Sequence, residues 1–91
     1  MLRLVWTPEA LADLQTTIDY IAERNVSAAE KLQALIEHTA EQLPLHPFLY
    51  RPGRVPRTRE AVVHPNHILV YRVGIDVIDV LAVLHARQRY P

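Results

Sequence analysis

The sequence predicts an α+β fold in which an N-terminal helical hairpin packs on a small, four-stranded, mostly antiparallel sheet, in the chain order β-α-α-β-β-β. Three observations predict it. Apolar residues recur at helical spacing in two neighbouring segments of the first half. A proline-rich segment then interrupts the chain, and the second half changes to short runs rich in valine, isoleucine and tyrosine, separated by turn-forming residues. The two helical stripes need a surface to bury against, so the hairpin must cover one face of the sheet.

Each element has its own signature. Residues 2–6 are short, β-branched and aromatic in part, which predicts a strand. Thr7 is the expected N-cap of the first helix, with Pro8 at the first helical position and Glu9 complementing the helix dipole. Leu11, Leu14, Ile18 and Ile21 form its apolar stripe. Arg24-Asn25 reads as its end, with Asn25 in the left-handed conformation. Ser27-Ala28-Ala29-Glu30 has the form of a capping box for the second helix, whose stripe is Leu32, Leu35, Ile36, Ala40 and Leu43. Pro44 ends it, and the short connection predicts an antiparallel helix pair. Strands are expected at residues 59–63, 67–73 and 77–85, with turns at His64-Pro65-Asn66 and Gly74-Ile75-Asp76. The near-continuous apolar run of the last strand predicts a central position, buried on both faces. Residues 86–91 form a polar, basic tail.

Trp6 is expected in the core or at its edge, Tyr20 against the second helix, and Tyr71 in the sheet with its hydroxyl at the rim.

The bulk numbers set limits. A chain of 91 residues predicts one domain, residues 1–91. With 49% hydrophobic and 22% charged residues it is composed like a globular protein rather than a disordered one. The absence of cysteine excludes disulfides and thiolate metal sites. No stretch approaches the roughly 20 apolar residues of a membrane span. Residues 1–6 are too short for a signal-peptide core, so the cytoplasm is the expected location. No cofactor is expected. His64 and His67 are separated by a Pro-Asn turn and have no third ligand nearby in sequence, so no metal is expected either.

Charge is distributed unevenly although the formal net charge is zero. Residues 1–50 carry three basic and seven acidic groups, and residues 51–91 carry seven arginines and three acids. Arg51, Arg54, Arg57 and Arg59 fall within nine residues of a segment stiffened by Pro44, Pro47, Pro52 and Pro56. With Arg72 and Arg89 they form the candidate surface for an anionic target or partner, since the guanidinium fork suits phosphates and carboxylates.

Several segments, in order, resemble the RelE/ParE superfamily of toxins. They are Val5-Trp6-Thr7-Pro8-Glu9-Ala10 with Asp13-Leu14, Asp19-Tyr20-Ile21-Ala22, Arg51-Pro52-Gly53-Arg54 with Thr58-Arg59-Glu60, Val70-Tyr71-Arg72-Val73, and Val83-Leu84-His85-Ala86-Arg87-Gln88. The resemblance covers essentially the whole chain. It implies the toxin of a type II toxin–antitoxin pair, a first strand lying beside the last, and a cognate antitoxin that wraps the toxin.

Two modes of poisoning are implied by the resemblance. A ParE-like member inhibits DNA gyrase and needs no chemistry. A RelE-like member cleaves mRNA on the ribosome as a metal-independent endoribonuclease. In the second case the candidate catalytic set is His85, Arg87, Arg59, His67 and Tyr90. The histidines would move protons, the arginines would neutralise phosphate, and Tyr90 would stack on a base or act as an acid. Strand alternation places His85 and Arg87 on one face. Many ribosome-dependent nucleases of the family carry arginine just before the Leu-Val-Tyr of the penultimate strand, where this chain has Ile68. The Leu84-His85-Ala86-Arg87 exit is similar to the ParE side. The reading therefore leans to gyrase, with mRNA cleavage as the alternative.

Overall fold

The computed structural model describes residues 2–91. Along the chain run β1 (Arg3–Trp6), α1 (Pro8–Ala22), α2 (Val26–Gln42), β2 (Arg51–Pro52), β3 (Arg59–His64), β4 (His67–Val73) and β5 (Val77–His85). They form a five-stranded sheet in the order β1-β5-β4-β3-β2. β1 pairs in parallel with β5, and the other pairings are antiparallel. The expected β-α-α-β-β-β order and helical hairpin are present. The fifth strand is β2, two residues of the proline-rich segment paired with Glu60 and Arg59. So short a pairing leaves no periodicity to read.

Thr7 caps α1 as expected: its hydroxyl accepts from the Ala10 N–H at 3.1 Å, and Pro8 follows. The start of α2 differs from the reading. Asn25 is its N-cap, accepting from the Ala28 N–H at 3.0 Å, which places Ser27 inside the first turn. Asn25 is accordingly extended, with φ −157°, and α1 ends in right-handed geometry at Glu23. A three-residue link joins the helices, and one side chain cannot both terminate the first in left-handed backbone and cap the second.

β5 is central and buried on both faces, as expected. On one face Ile78, Val80 and Val83 join Leu69, Tyr71, Leu14 and Ile36 beneath the hairpin. On the other, Ala82 and Leu84 pack with Ile68 and Val70 under Ala86 and Tyr90 of the tail. The switch in parity along β5 comes from a bulge: Val70 pairs with Ala82 but Tyr71 pairs with Val80, leaving Leu81 as the extra residue. Trp6 packs at the core edge. Leu11 and Leu35 lie outside the core, 51% and 41% exposed. The buried line of each helix is narrower than its apolar stripe because Ala10, Ala29 and Ala40 make the close contacts.

The second half of β5 recruits a side chain from α1. Asp13 Oδ2 accepts from the Val83 N–H at 3.1 Å. β1 pairs with β5 only as far as Val80, so this donor lies beyond the reach of the β1–β5 ladder. Among the described residues no helix is long and apolar enough to cross a membrane.

Candidate functional site

The strand register places three histidines in one row. His64 pairs with His67, and His67 pairs with His85. A bulge in β3, between Val62 and His64, brings His64 into that row. The ring centroids lie 5.7 Å apart from His64 to His67 and 5.7 Å apart from His67 to His85. His85, distant in sequence, completes the row with His64 and His67. Only the register could reveal it. Among the described residues, however, no group of three His, Cys, Asp or Glu side chains is arranged to hold a metal ion.

The turns fix what these rings can do. His64 Nδ1 accepts from the Asn66 N–H at 3.2 Å, and His85 Nδ1 accepts from the Arg87 N–H at 3.2 Å. A nitrogen that accepts from a backbone amide carries no proton, so each neutral ring bears its proton on Nε2. In the neutral form the free Nε2 of His64 and of His85 is therefore a hydrogen-bond donor. His67 lies deeper. Burial, reinforced by the neighbouring His64 and His85 rings, holds it below the usual histidine range, and its buried Nδ1 has no hydrogen-bond partner.

The row faces the helical hairpin across a cleft of about 730 Å³. Its walls are Tyr20 and Ile21 of α1 and Leu32 and Leu35 of α2, with Lys31, Asn66 and Gln88 at the rim. Tyr20, expected against α2, lines the cleft together with Leu32 and Leu35 of that helix. It is 58% exposed, with the Arg24 guanidinium 4.3 Å from its ring centroid.

The expected catalytic residues are only partly gathered. His67 and His85 meet, and Arg87 follows His85 in a turn. β5 ends at His85, so Arg87 does not continue the strand on the same face. Arg59 pairs with Tyr71, four residues along β4 from His67, which at a strand rise of about 3.3 Å per residue separates it from the row by roughly 13 Å. Its guanidinium donates to the Tyr50 and Phe48 carbonyls at 2.7 and 3.4 Å and lies 4.9 Å from the Phe48 ring centroid. Tyr90 packs on the apolar cluster of the opposite face.

Two other arginines of the clustered four, Arg51 and Arg54, pair with a buried acid. Glu60, 3% exposed, was not singled out in the sequence. It receives Arg51 at 3.1 Å, the Arg54 side chain at 3.0 Å and the Arg54 N–H at 2.9 Å. Arg54 also donates to the Gln88 carbonyl at 3.2 Å, tying the loop to the tail. A single acid among arginines was the available signal. Arg72 pairs with Asp79 at 3.1 Å in an exposed contact. Among the described residues, Arg57, Arg87 and Arg89 form neither an ion pair nor a side-chain hydrogen bond.

Arg57 is also held in an unusual conformation. Val55 to Thr58 form a turn closed by the Thr58 N–H on the Val55 carbonyl at 3.2 Å, with Pro56 second and Arg57 third at φ 69°. That is the type II pattern, whose third position prefers glycine or asparagine. Replacing Arg57 by glycine is expected to stabilise the fold by about 0.5–1 kcal/mol, the strain released less the backbone entropy of glycine, raising Tm by a few degrees. The same variant is expected to lose growth-arresting potency if Arg57 meets the target. Thermal unfolding and a plate toxicity assay measure the two effects separately, and a lowered Tm would contradict the turn assignment.

A two-helix hairpin on a mixed five-stranded sheet, with a cleft between them and arginines on the loops, defines a small α+β protein. The family profile described as ParE toxin of type II toxin-antitoxin system, parDE, matches residues 4–90, and the chain belongs to that family. Y4kP of Sinorhizobium fredii, named as a toxin, is 37% identical over 90 residues, covering 98% of this chain and 93% of its own. Toxin RelE2 of Caulobacter vibrioides is 32% identical over 90 residues, covering 97% and 99%. Among solved structures, a chain of the chromosomal ParDE toxin–antitoxin system from P. aeruginosa superposes with a TM-score of 0.84 at 25% identity, covering 93% of this chain and 96% of that one. This protein is the toxin of a type II toxin–antitoxin module, and its partner is an antitoxin.

Proposed function

We propose that this toxin poisons DNA gyrase as a binding inhibitor, without catalysing a reaction of its own. The observation that carries the reading is the state of His85. Its Nδ1 is taken by the Arg87 N–H, so the neutral ring offers a donor where cleavage of RNA by its own 2′-hydroxyl requires a base. Arg59, committed to loop carbonyls at the far end of β3, supports the same conclusion. So does the match to the family described as ParE. Arg57, Arg87 and Arg89, whose side chains form no ion pair or hydrogen bond among the described residues, together with Arg72, are the residues assigned to target contact.

Purified toxin added to gyrase and relaxed plasmid is expected to stop supercoiling at near-stoichiometric ratios and to accumulate cleaved DNA complexes. Supercoiling that proceeds unchanged at excess toxin, together with mRNA cleavage on translating ribosomes, would replace this reading with the RelE-like one. His67, His85 and Arg87 would then have to rearrange on the ribosome.

A further inference from the structure

We propose that the histidine end of the cleft is an anion-binding subsite that receives a carboxylate of the antitoxin, while the apolar walls take the hydrophobic side chains flanking it. The inference rests on the chain being the toxin of a pair and is independent of the toxin's target.

Three features specify the occupant. First, His64 and His85 have Nδ1 committed to backbone amides, so the hydrogen-bonding group left to each is an Nε2–H donor. Lys31 adds an ammonium to the same rim, and among the described residues no carboxylate lines the cleft. Two neutral donors and one cation, with no competing acid, select an anion. Second, the walls formed by Ile21, Leu32, Leu35 and the Tyr20 ring are apolar, and about 730 Å³ suits several side chains of a peptide segment. A ligand that is anionic throughout would leave these walls unfilled. Third, the hairpin that bounds the cleft is itself acidic. Residues 8–42 carry seven carboxylates against Arg24 and Lys31. A polyanionic strand laid along the hairpin meets that repulsion, whereas one carboxylate inserted at the histidine row does not. A peptide with apolar residues on either side of an acidic one satisfies all three conditions.

The test uses the full-length toxin and the full-length antitoxin encoded with it, with affinity measured by calorimetric titration. His85→Leu keeps apolar bulk and removes the donor, and it is expected to weaken binding about tenfold or more, the usual effect of losing a hydrogen bond to a charged group. His85→Gln retains a nitrogen donor near the position of Nε2 and is expected to stay within about threefold of the parent. Lys31→Gln, at an exposed position, is expected to weaken binding by about threefold and to flatten its salt dependence. Circular dichroism checks that each variant folds. If the leucine variant unfolds, Lys31→Gln decides the matter.

Unchanged affinity in His85→Leu and Lys31→Gln would overturn the proposal. Equal loss in the leucine and glutamine variants would also overturn it, because shape rather than the donor would then matter. Displacement of the antitoxin by a 20-nucleotide single strand would reassign the subsite to nucleic acid. A parent toxin that binds no antitoxin at all would refute the pairing itself, a separate failure.

Discussion

Truncation of Tyr71 to alanine is expected to cost about 3–5 kcal/mol, the range for deleting a buried aromatic side chain. Tyr71 is fully buried and meets Tyr50 edge to face at 6.4 Å between ring centroids. Its hydroxyl, expected at the sheet rim, instead donates to the Pro47 carbonyl at 2.8 Å inside the protein. The residue therefore anchors the proline-rich loop as well as filling the core. Tyr71→Phe removes only that hydrogen bond and is expected to cost about 1 kcal/mol. Urea titration of both variants checks the two values. A loss under about 1.5 kcal/mol in the alanine variant would mean that the core collapses around the gap and that the loop does not depend on Tyr71. Since domains of this kind have roughly 5–15 kcal/mol of stability in all, the larger loss brings the toxin close to unfolding.

The second large effect belongs to the Glu60 site, and it is asymmetric. Arg54→Met leaves a buried carboxylate with Arg51 and one backbone N–H, and it is expected to cost about 2–3 kcal/mol, below the range for a fully buried pair because the Arg54 side chain is 35% exposed. Tm should fall by about 10–15 °C. Glu60→Leu removes the buried charge itself, packs beside Val70 across the ladder and frees two arginines into solvent, so its cost should be about 1 kcal/mol or less. If Glu60→Leu proves the worse of the two, the carboxylate is a net stabiliser and this account is wrong.

A pH dependence follows from the same site. Burial pushes the Glu60 carboxyl upward, but hydrogen bonds from the Arg54 side chain and backbone and from Arg51 outweigh it and hold the group below the usual carboxylate range. The folded state therefore binds this proton less readily than the unfolded state. The contribution is complete above the unfolded value of about 4.3 and is lost as pH falls through the lower folded value. Thermal unfolding below about pH 5 should show this loss in the parent and not in Glu60→Leu.

The elements were legible because their signals are local. Thr7-Pro8-Glu9 marks one helix start, the spacing of Leu14, Ile18 and Ile21 marks one face, and the run from Val77 to His85 marks a strand buried on both sides. The errors arose where neighbouring signals compete or where no local signal exists. Asn25 and Ser27 are both competent caps, and only the packing of the hairpin selects the first. β2 is two residues long. The histidine row and Glu60 depend on register, and register here is altered by bulges at Val63 and Leu81, each of which moves later side chains to the other face. A site assembled from three strands and two bulges has no continuous pattern in the sequence. The arginine cluster was visible, but two of its members were already committed to an acid that strand alternation does not identify as buried.

The parallel pairing of β1 with β5 has a consequence for the order of assembly. Arg3–Trp6 find their partners at Val77–Val80, so the strand made first is completed by the strand made last. Once α2 is complete at Gln42, synthesis of residues 43–76 at about 5–20 residues per second takes roughly 2–7 s. The hairpin, whose contacts are local, forms within microseconds to milliseconds of leaving the ribosome, whereas closure of the sheet is non-local and slow. During that interval the helices stand exposed without the surface that buries them. A partner that recognises the hairpin can engage the nascent chain before the active fold exists, so neutralisation can begin during translation.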